Sequence, residues 1–221
     1  MSQAIAPATP RSANRPRPRT SSFHHGHLRQ ALIDAALAAP DIEGVSLRQL
    51  AVGLGVTAPA AYRHFGSREE LLLAVAGVGF ERLGARFAEA FDIARPPVDA
   101  VNARVRLQRL AQAYLKFADD EPALWRLMFG AQAAAYRAAA APQGRRNSYE
   151  HLPAALLGLY RAGVIDQAPD ERDALFAWSA IHGAATLRSG RVPAALVPVP
   201  ELANEVASRV IQALRKSPSA T

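Results

Sequence analysis

The stretch from Val45 to Arg68 constrains the fold most, because its helix starts and stops are closely spaced. Ser46 followed by Gln49 fits a capping box that opens a helix. Leu47, Leu50, Ala51 and Leu54 then repeat at helical spacing. Gly55 stands where that helix must end, since glycine takes a positive φ without steric cost. Thr57 can cap the next helix through its hydroxyl, and Pro59 suits that helix's first turn. Ser67 with Glu70 is a second capping box, opening a long helix with Leu71, Leu72 and Val75. Two short helices about a glycine turn make a helix-turn-helix, whose second helix is shaped for the DNA major groove. The same geometry also serves as a three-helix packing unit with no ligand. The exposed chemistry favours DNA: Tyr62, Arg63, His64 and Arg68 are all donors, and no acid lies between Glu43 and Glu69. A solvated face mixes both signs of charge, whereas a phosphate-facing one does not.

Charge is distributed the same way. The chain of 221 residues carries a formal charge of +7. Residues 1–68 hold eight arginines against Asp34, Asp41 and Glu43, while residues 69–221 are nearly balanced. A basic half of this kind points to nucleic acid or an anionic membrane surface. Residues 1–22 are rich in Pro, Ala, Ser and Arg without apolar periodicity and read as a disordered arm. Arg11, Arg15, Arg17 and Arg19 suit either a minor-groove arm or a merely solvated tail. The cluster His24, His25 and His27 has no carboxylate or thiolate beside it, so phosphate contact or packing is expected there and no metal. There is no cysteine, which fits a reducing cytoplasm, and no apolar leader or membrane-length apolar run.

The rest of the chain reads as helices. A first helix over about 27–39 precedes the Val45–Arg68 stretch, and the long helix runs to about Asp92. Gly77 and Gly79 inside it lack the preceding strand of a nucleotide fingerprint and mark close packing or flexing. Arg95-Pro96-Pro97 is a boundary, followed by helices over about 98–118, from Pro122, over 147–162, over 170–189 and over 201–216. Ala131 to Gly144 is expected to be part helix and part loop. The 170–189 helix has no clean polar face, which implies burial on two sides. The fold is therefore expected to be all-α: a basic arm (1–22), a three-helix helix-turn-helix domain (23–70), a helical ligand-binding and dimerisation domain (71–216) joined through the long helix, and a short tail (217–221), with about nine helices.

Gly55-Val56-Thr57, Ala61-Tyr62-Arg63-His64-Phe65-Gly66-Ser67-Arg68 and Glu69-Glu70-Leu71-Leu72 together resemble the DNA-binding domain of TetR-type transcriptional regulators. Phe23-His24-His25-Gly26-His27-Leu28 resembles the segment that opens the first helix in one branch of that family. Trp178-Ser179-Ala180-Ile181-His182-Gly183 and Ala118–Phe129 resemble the Trp-His-Gly class of its C-terminal domains. The resemblance implies a homodimer, paired through the 170–189 and 201–216 helices, that binds a palindromic operator in double-stranded DNA. It implies base contacts from Ala58, Pro59 and Ala60, with Arg48 reaching in from the earlier helix, and phosphate contacts from Thr57, Tyr62, His64 and Arg68. Ala58, Pro59 and Ala60 can meet a thymine methyl but cannot read guanine, which leaves direct readout to Arg48 and Arg63.

A small apolar or aromatic effector is the other expected partner. Candidate walls for its cavity are Tyr114, Phe117, Trp125, Met128, Phe129, Leu156, Tyr160, Phe176 and His182, since such walls are mostly apolar and aromatic with a few polar groups. His182 needs a partner in an apolar helix, either a ligand or an internal group. No catalytic residue and no cofactor are expected: no nucleophile elbow, zinc-helix motif or phosphate loop is present. A basic peripheral membrane protein and an all-α enzyme are the alternatives, and the first has no apolar anchor beyond Phe23.

Overall fold

The computed structural model describes residues 27–130, 142–189 and 197–215, with backbone alone for 142–148. Among these there are nine helices and no strand. They are α1 (His27–Leu37), α2 (Leu47–Gly53), α3 (Ala58–Tyr62), α4 (Arg68–Ala90), α5 (Ala100–Asp120), α6 (Pro122–Phe129), α7 (Pro142–Arg161), α8 (Glu171–Ser189) and α9 (Val199–Arg215). No described helix is long and apolar enough to cross a membrane. The arginine arm, Phe23, His24 and His25, the 131–141 stretch and the 217–221 tail lie outside the described residues.

The helix ends follow local chemistry. Gly55 takes φ 71°, and Val56 N–H donates to the Ala51 carbonyl at 2.9 Å, which closes α2. Gly163 takes φ 67° and ends α7 in the same way, with Val164 N–H on the Leu159 carbonyl at 2.8 Å. The Ser67 hydroxyl accepts from Glu70 N–H at 3.2 Å to start α4, and the Asp99 carboxylate accepts from Asn102 N–H at 2.7 Å to start α5. Asp170 and Asp173 cap α8 reciprocally: each carboxylate accepts from the other's N–H. Two expected caps do not form. Ser46 and Thr57 hold the cap positions of α2 and α3 with extended backbone, but neither side chain takes a backbone N–H. Both helices are short and buried along one side, so packing holds them where capping does not.

The head is α1, α2, α3 and the first turns of α4. Leu28, Leu32, Ile33 and Ala36 of α1 meet Ile42, Val45, Leu47, Ala51, Ala61 and Phe65 around Leu71, Leu72 and Val75. The body is organised on α5, which packs against α4, α6, α7, α8 and α9. Gly79 is a close-packing point, because a Cβ there would strike the Met128 sulfur and Leu124 of α6; Gly77 faces open space. Within the single chain α8 buries Ala177, Ile181 and Ala185 and leaves Leu175, Phe176 and Leu187 exposed.

Asp119-Asp120-Glu121, at the corner between α5 and α6, ties three helices together. Arg82 and Arg86 of α4 reach Glu121 and Asp120 at 2.6 and 2.7 Å. Arg86, then Lys116, hold the Asp120 carboxyl below its usual range by donating to it. On the other side, Arg188 of α8 grips Asp119 with Nε and a terminal nitrogen, at 3.3 and 2.6 Å, and donates to the Val197 carbonyl at 2.6 Å. Its side chain is only 10% exposed, so this contact resists solvent screening more than the others. Arg188→Met is expected to lower stability by about 2 kcal/mol, since hydrogen bonds to charged groups are lost in a shielded place. Urea unfolding should show a lower midpoint at unchanged slope.

Candidate nucleic-acid interface and internal chamber

The outer face of α2 and α3 is set by what the head core leaves out. Leu47 and Ala51 turn inward, so Arg48, Gln49 and Val52 turn outward. Ala61 and Phe65 turn inward, so Pro59, Tyr62 and Arg63 are exposed, with Ala58, Ala60 and His64 half-buried beside them. The Thr57 hydroxyl is exposed at the open end of α3. Arg48 and Arg63 enter no ion pair among the described residues. The face therefore presents free guanidinium groups, hydroxyls and an aromatic ring, with no carboxylate between Glu43 and Glu69.

Arg68 is different. Its Nε donates to the Val45 carbonyl at 3.1 Å, bridging the start of α4 to the chain two residues before α2, and a terminal nitrogen lies 3.5 Å from Glu69. The first turn of α4 is also occupied. The Glu70 carboxylate accepts from Gly66 N–H at 2.6 Å. Glu69 has its carboxyl held below the usual range, chiefly by its own backbone N–H and the Ser67 hydroxyl. A phosphate at this helix end would meet two carboxylates first.

The second site lies in the body, around Tyr114. Its hydroxyl stands 2.9 Å from His182 Nδ1, joining α5 to α8. Its ring stacks on Phe87 of α4 (centroids 6.1 Å, planes 19° apart) and meets Trp125 and Trp178 edge-on at 4.9 and 5.4 Å. Phe129 closes the group, 4.4 Å from Trp125 and 5.1 Å from His182. Burial, and then the neighbouring Tyr149, raise the Tyr114 phenol well above its ordinary range, so it stays neutral and keeps its proton. Against this group lies a small cleft of about 10 Å³, lined by Phe87, Leu110, Tyr114, Leu152, Trp178 and Ile181. A second, more open cavity of about 270 Å³ is lined by Tyr149, Leu152, Pro153, Ala174, Leu175 and Trp178. Leu152 and Trp178 line both.

Comparison with known proteins fits this two-part layout. Residues 32–75 match the model for bacterial regulatory proteins of the tetR family, and residues 107–216 match that for a tetracyclin repressor-like C-terminal domain. The chain belongs to the TetR family. It is a TetR-type, ligand-responsive transcriptional regulator. Among solved structures it is similar to a protein with unknown function from Rhodococcus sp. RHA1, at 33% identity over 89% of this chain and 100% of that one, with a TM-score of 0.70. It shares its fold with the TetR family transcriptional regulator PfmR from Thermus thermophilus, at 20% identity over 83% of this chain and 97% of that one, with a TM-score of 0.57. It also shares its fold with RolR in complex with the ligand resorcinol, at 15% identity over 86% and 88% of the two chains, with a TM-score of 0.56. No curated protein matches.

In this TetR-type chain the expected wall residues divide into three sets. Tyr114 lines the inner cleft, and Trp125, Phe129 and His182 stand directly behind it. Phe117, Met128 and Leu156 are fully enclosed in the core and line neither cavity. Tyr160 and Phe176 are 41% and 48% exposed on the outside and line neither. His182 has its internal partner in Tyr114, so the hydrogen bond between them holds α5 to α8 without any ligand. Sequence reasoning missed Phe87, Leu110, Leu152, Trp178 and Ile181 as walls, and missed the buried His151, whose ring lies 5.7 Å from Phe87 and 5.4 Å from Phe91. The available signal was spacing: Trp178, Ile181 and His182 fall on one turn of one helix face.

These placements separate two arginines. Arg48→Ala should cost about 1–3 kcal/mol on the preferred duplex and relax sequence preference at one position. Arg68→Ala should instead lower the unfolding midpoint of the head, because it removes the tie to Val45, and should weaken preferred and random duplex alike. Fluorescence anisotropy on both duplexes, with thermal melting of each variant, checks the pair.

Proposed function

We propose that this protein is a homodimeric repressor that grips a palindromic operator with two reading heads and lets go when a small apolar or aromatic effector fills the chamber. The observation that carries the reading is the position of α4. Its first turns lie in the head core, and Phe87 near its other end is a wall of the inner cleft. A molecule that widens the cleft pushes on the helix that aims the head. Coupling of this kind is reciprocal, so DNA weakens effector binding by the same factor.

In this reading Arg48 and Arg63 read bases, Ala58, Pro59 and Ala60 touch base edges, and Thr57, Tyr62 and His64 hold phosphates. Arg68 positions α4 and contributes charge. The reading head occupies residues 23–70 and the effector and pairing domain 71–216. Pairing through α8 and α9 is supported by Leu175, Phe176 and Leu187, large apolar side chains left exposed on α8 by the single chain. Two-fold pairing is the commonest way to cover such a face. The protein acts in the cytoplasm and catalyses no reaction, and neither a membrane nor a metal takes part. RolR, which shares the fold, was solved with resorcinol, and this supports an aromatic effector.

Selection of bound sequences from random duplex DNA tests the reading. An inverted repeat should emerge, with half-sites about one helical turn or a multiple of it apart. Affinity should fall steeply with salt while preference over random duplex survives. A monomer that binds all duplexes equally, or binds anionic vesicles and no duplex, would overturn it.

A further inference from the structure

We propose that the effector is an uncharged, planar aromatic molecule of one or two fused rings, that it lies on the indole of Trp178, and that Tyr149 is the lid it displaces. The proposal rests on the reading of this chamber as the effector site. Three observations carry it. The Tyr149 ring lies 5.1 Å from the Trp178 indole with planes only 7° apart, so the protein already holds a flat ring parallel to that platform. Tyr149 is 40% exposed and borders the open cavity, so it can swing outward without breaking the core. The cavity's size fits this class: an apolar cavity of about 150 Å³ takes one benzene ring. The 270 Å³ here has room for one or two rings.

The walls bear on the charge. Among the described residues, those lining the two cavities are Phe, Leu, Tyr, Trp, Ile, Pro and Ala, and none of these is a cation or a carboxylate. Tyr114 and Tyr149 are the ionisable groups among these walls; behind them stand His182, tied to Tyr114, and the buried His151. A carboxylate or ammonium ligand would shed its water and meet no counter-charge. An aliphatic chain of similar bulk would enter, but it would lose its internal rotations and gain no stacking on the indole. Trp178 also lines the smaller cleft, together with Phe87 of α4 and Tyr114, so a ring seated on it bears on the group that contacts α4.

The test is calorimetric titration of the full-length protein with 2-naphthol, 2-naphthoate and 1-octanol, each repeated in the presence of the duplex selected above. The expected result is saturable binding of 2-naphthol, with the other two weaker by at least about tenfold. Ala174→Phe, which fills the cavity, and Trp178→Leu, which keeps an apolar side chain but removes the aromatic platform, should each weaken 2-naphthol by a similar factor. If Ala174→Phe does not fold, Trp178→Leu carries the same test. Tyr149→Ala should speed association of 2-naphthol. The proposal is overturned if 2-naphthol does not bind, if naphthoate or octanol binds as tightly, or if neither cavity variant changes its affinity. Failure of the regulatory reading looks different: 2-naphthol binds as expected, yet duplex affinity does not change.

Discussion

Helix α4 belongs to two cores at once, and the rest of the molecule depends on that. Leu71, Leu72 and Val75 complete the head, while Phe80, Leu83 and Phe87 complete the body on the same continuous stripe. Each such side chain, fully buried, contributes about 2 kcal/mol. The ion pairs from Arg82 and Arg86 to Asp120 and Glu121 are half-exposed and each contribute less than about 1 kcal/mol. The apolar seam therefore keeps head and body together. The ion pairs, which have direction, select the angle at which α4 lies against the α5–α6 corner. Gly79 lets α6 approach closely at the midpoint of that seam.

The two ends of α4 face opposite kinds of chemistry. At one end a face with free guanidinium groups and no carboxylate suits a polyanion in water. Near the other, a cavity whose described walls carry no charge suits a molecule that avoids water. Tyr114 is the point where the second site touches everything else. It stacks on α4, bonds to α8, and borders both tryptophans. Arg188 makes a second link between α8 and the corner that holds α4. A shift of α8 against α5 thus reaches α4 by two routes, one through packed rings and one through charges.

Much of the frame was legible in the sequence because it is written locally. Gly55 and Gly163 do what a left-handed residue after a helix must do, Pro122 opens α6, and Ser67 caps α4. The expectation of nine helices in an all-α chain matches the described residues. Local signals failed where a local option competes with a distant one. Ser46 and Thr57 have the residue type of a cap and the position of a cap, yet their hydroxyls take no backbone N–H. Arg68 also holds a structural tie to the Val45 carbonyl, far earlier in the chain, that its own neighbourhood in the sequence does not announce. Asp119-Asp120-Glu121 does lead into α6, but nothing local announces that arginines of α4 and α8 will pair with it. Periodicity says which residues point inward. It cannot say whether the space they meet is filled, as around Phe117 and Leu156, or left open, as beside Trp178 and Leu152.

The central claim is that head and body move as one piece because α4 is common to both. The chain has no cysteine, so spin labels can be placed cleanly at Val52→Cys on the head and Val101→Cys on the body, both exposed. Pulsed electron-spin distance measurement on labelled protomers, diluted with unlabelled protein, reads their separation within one chain. A single narrow distribution, no wider than the labels alone produce, is the result this account predicts. A broad or two-peaked distribution in the free protein would mean that the head swings independently of α4, and would contradict it.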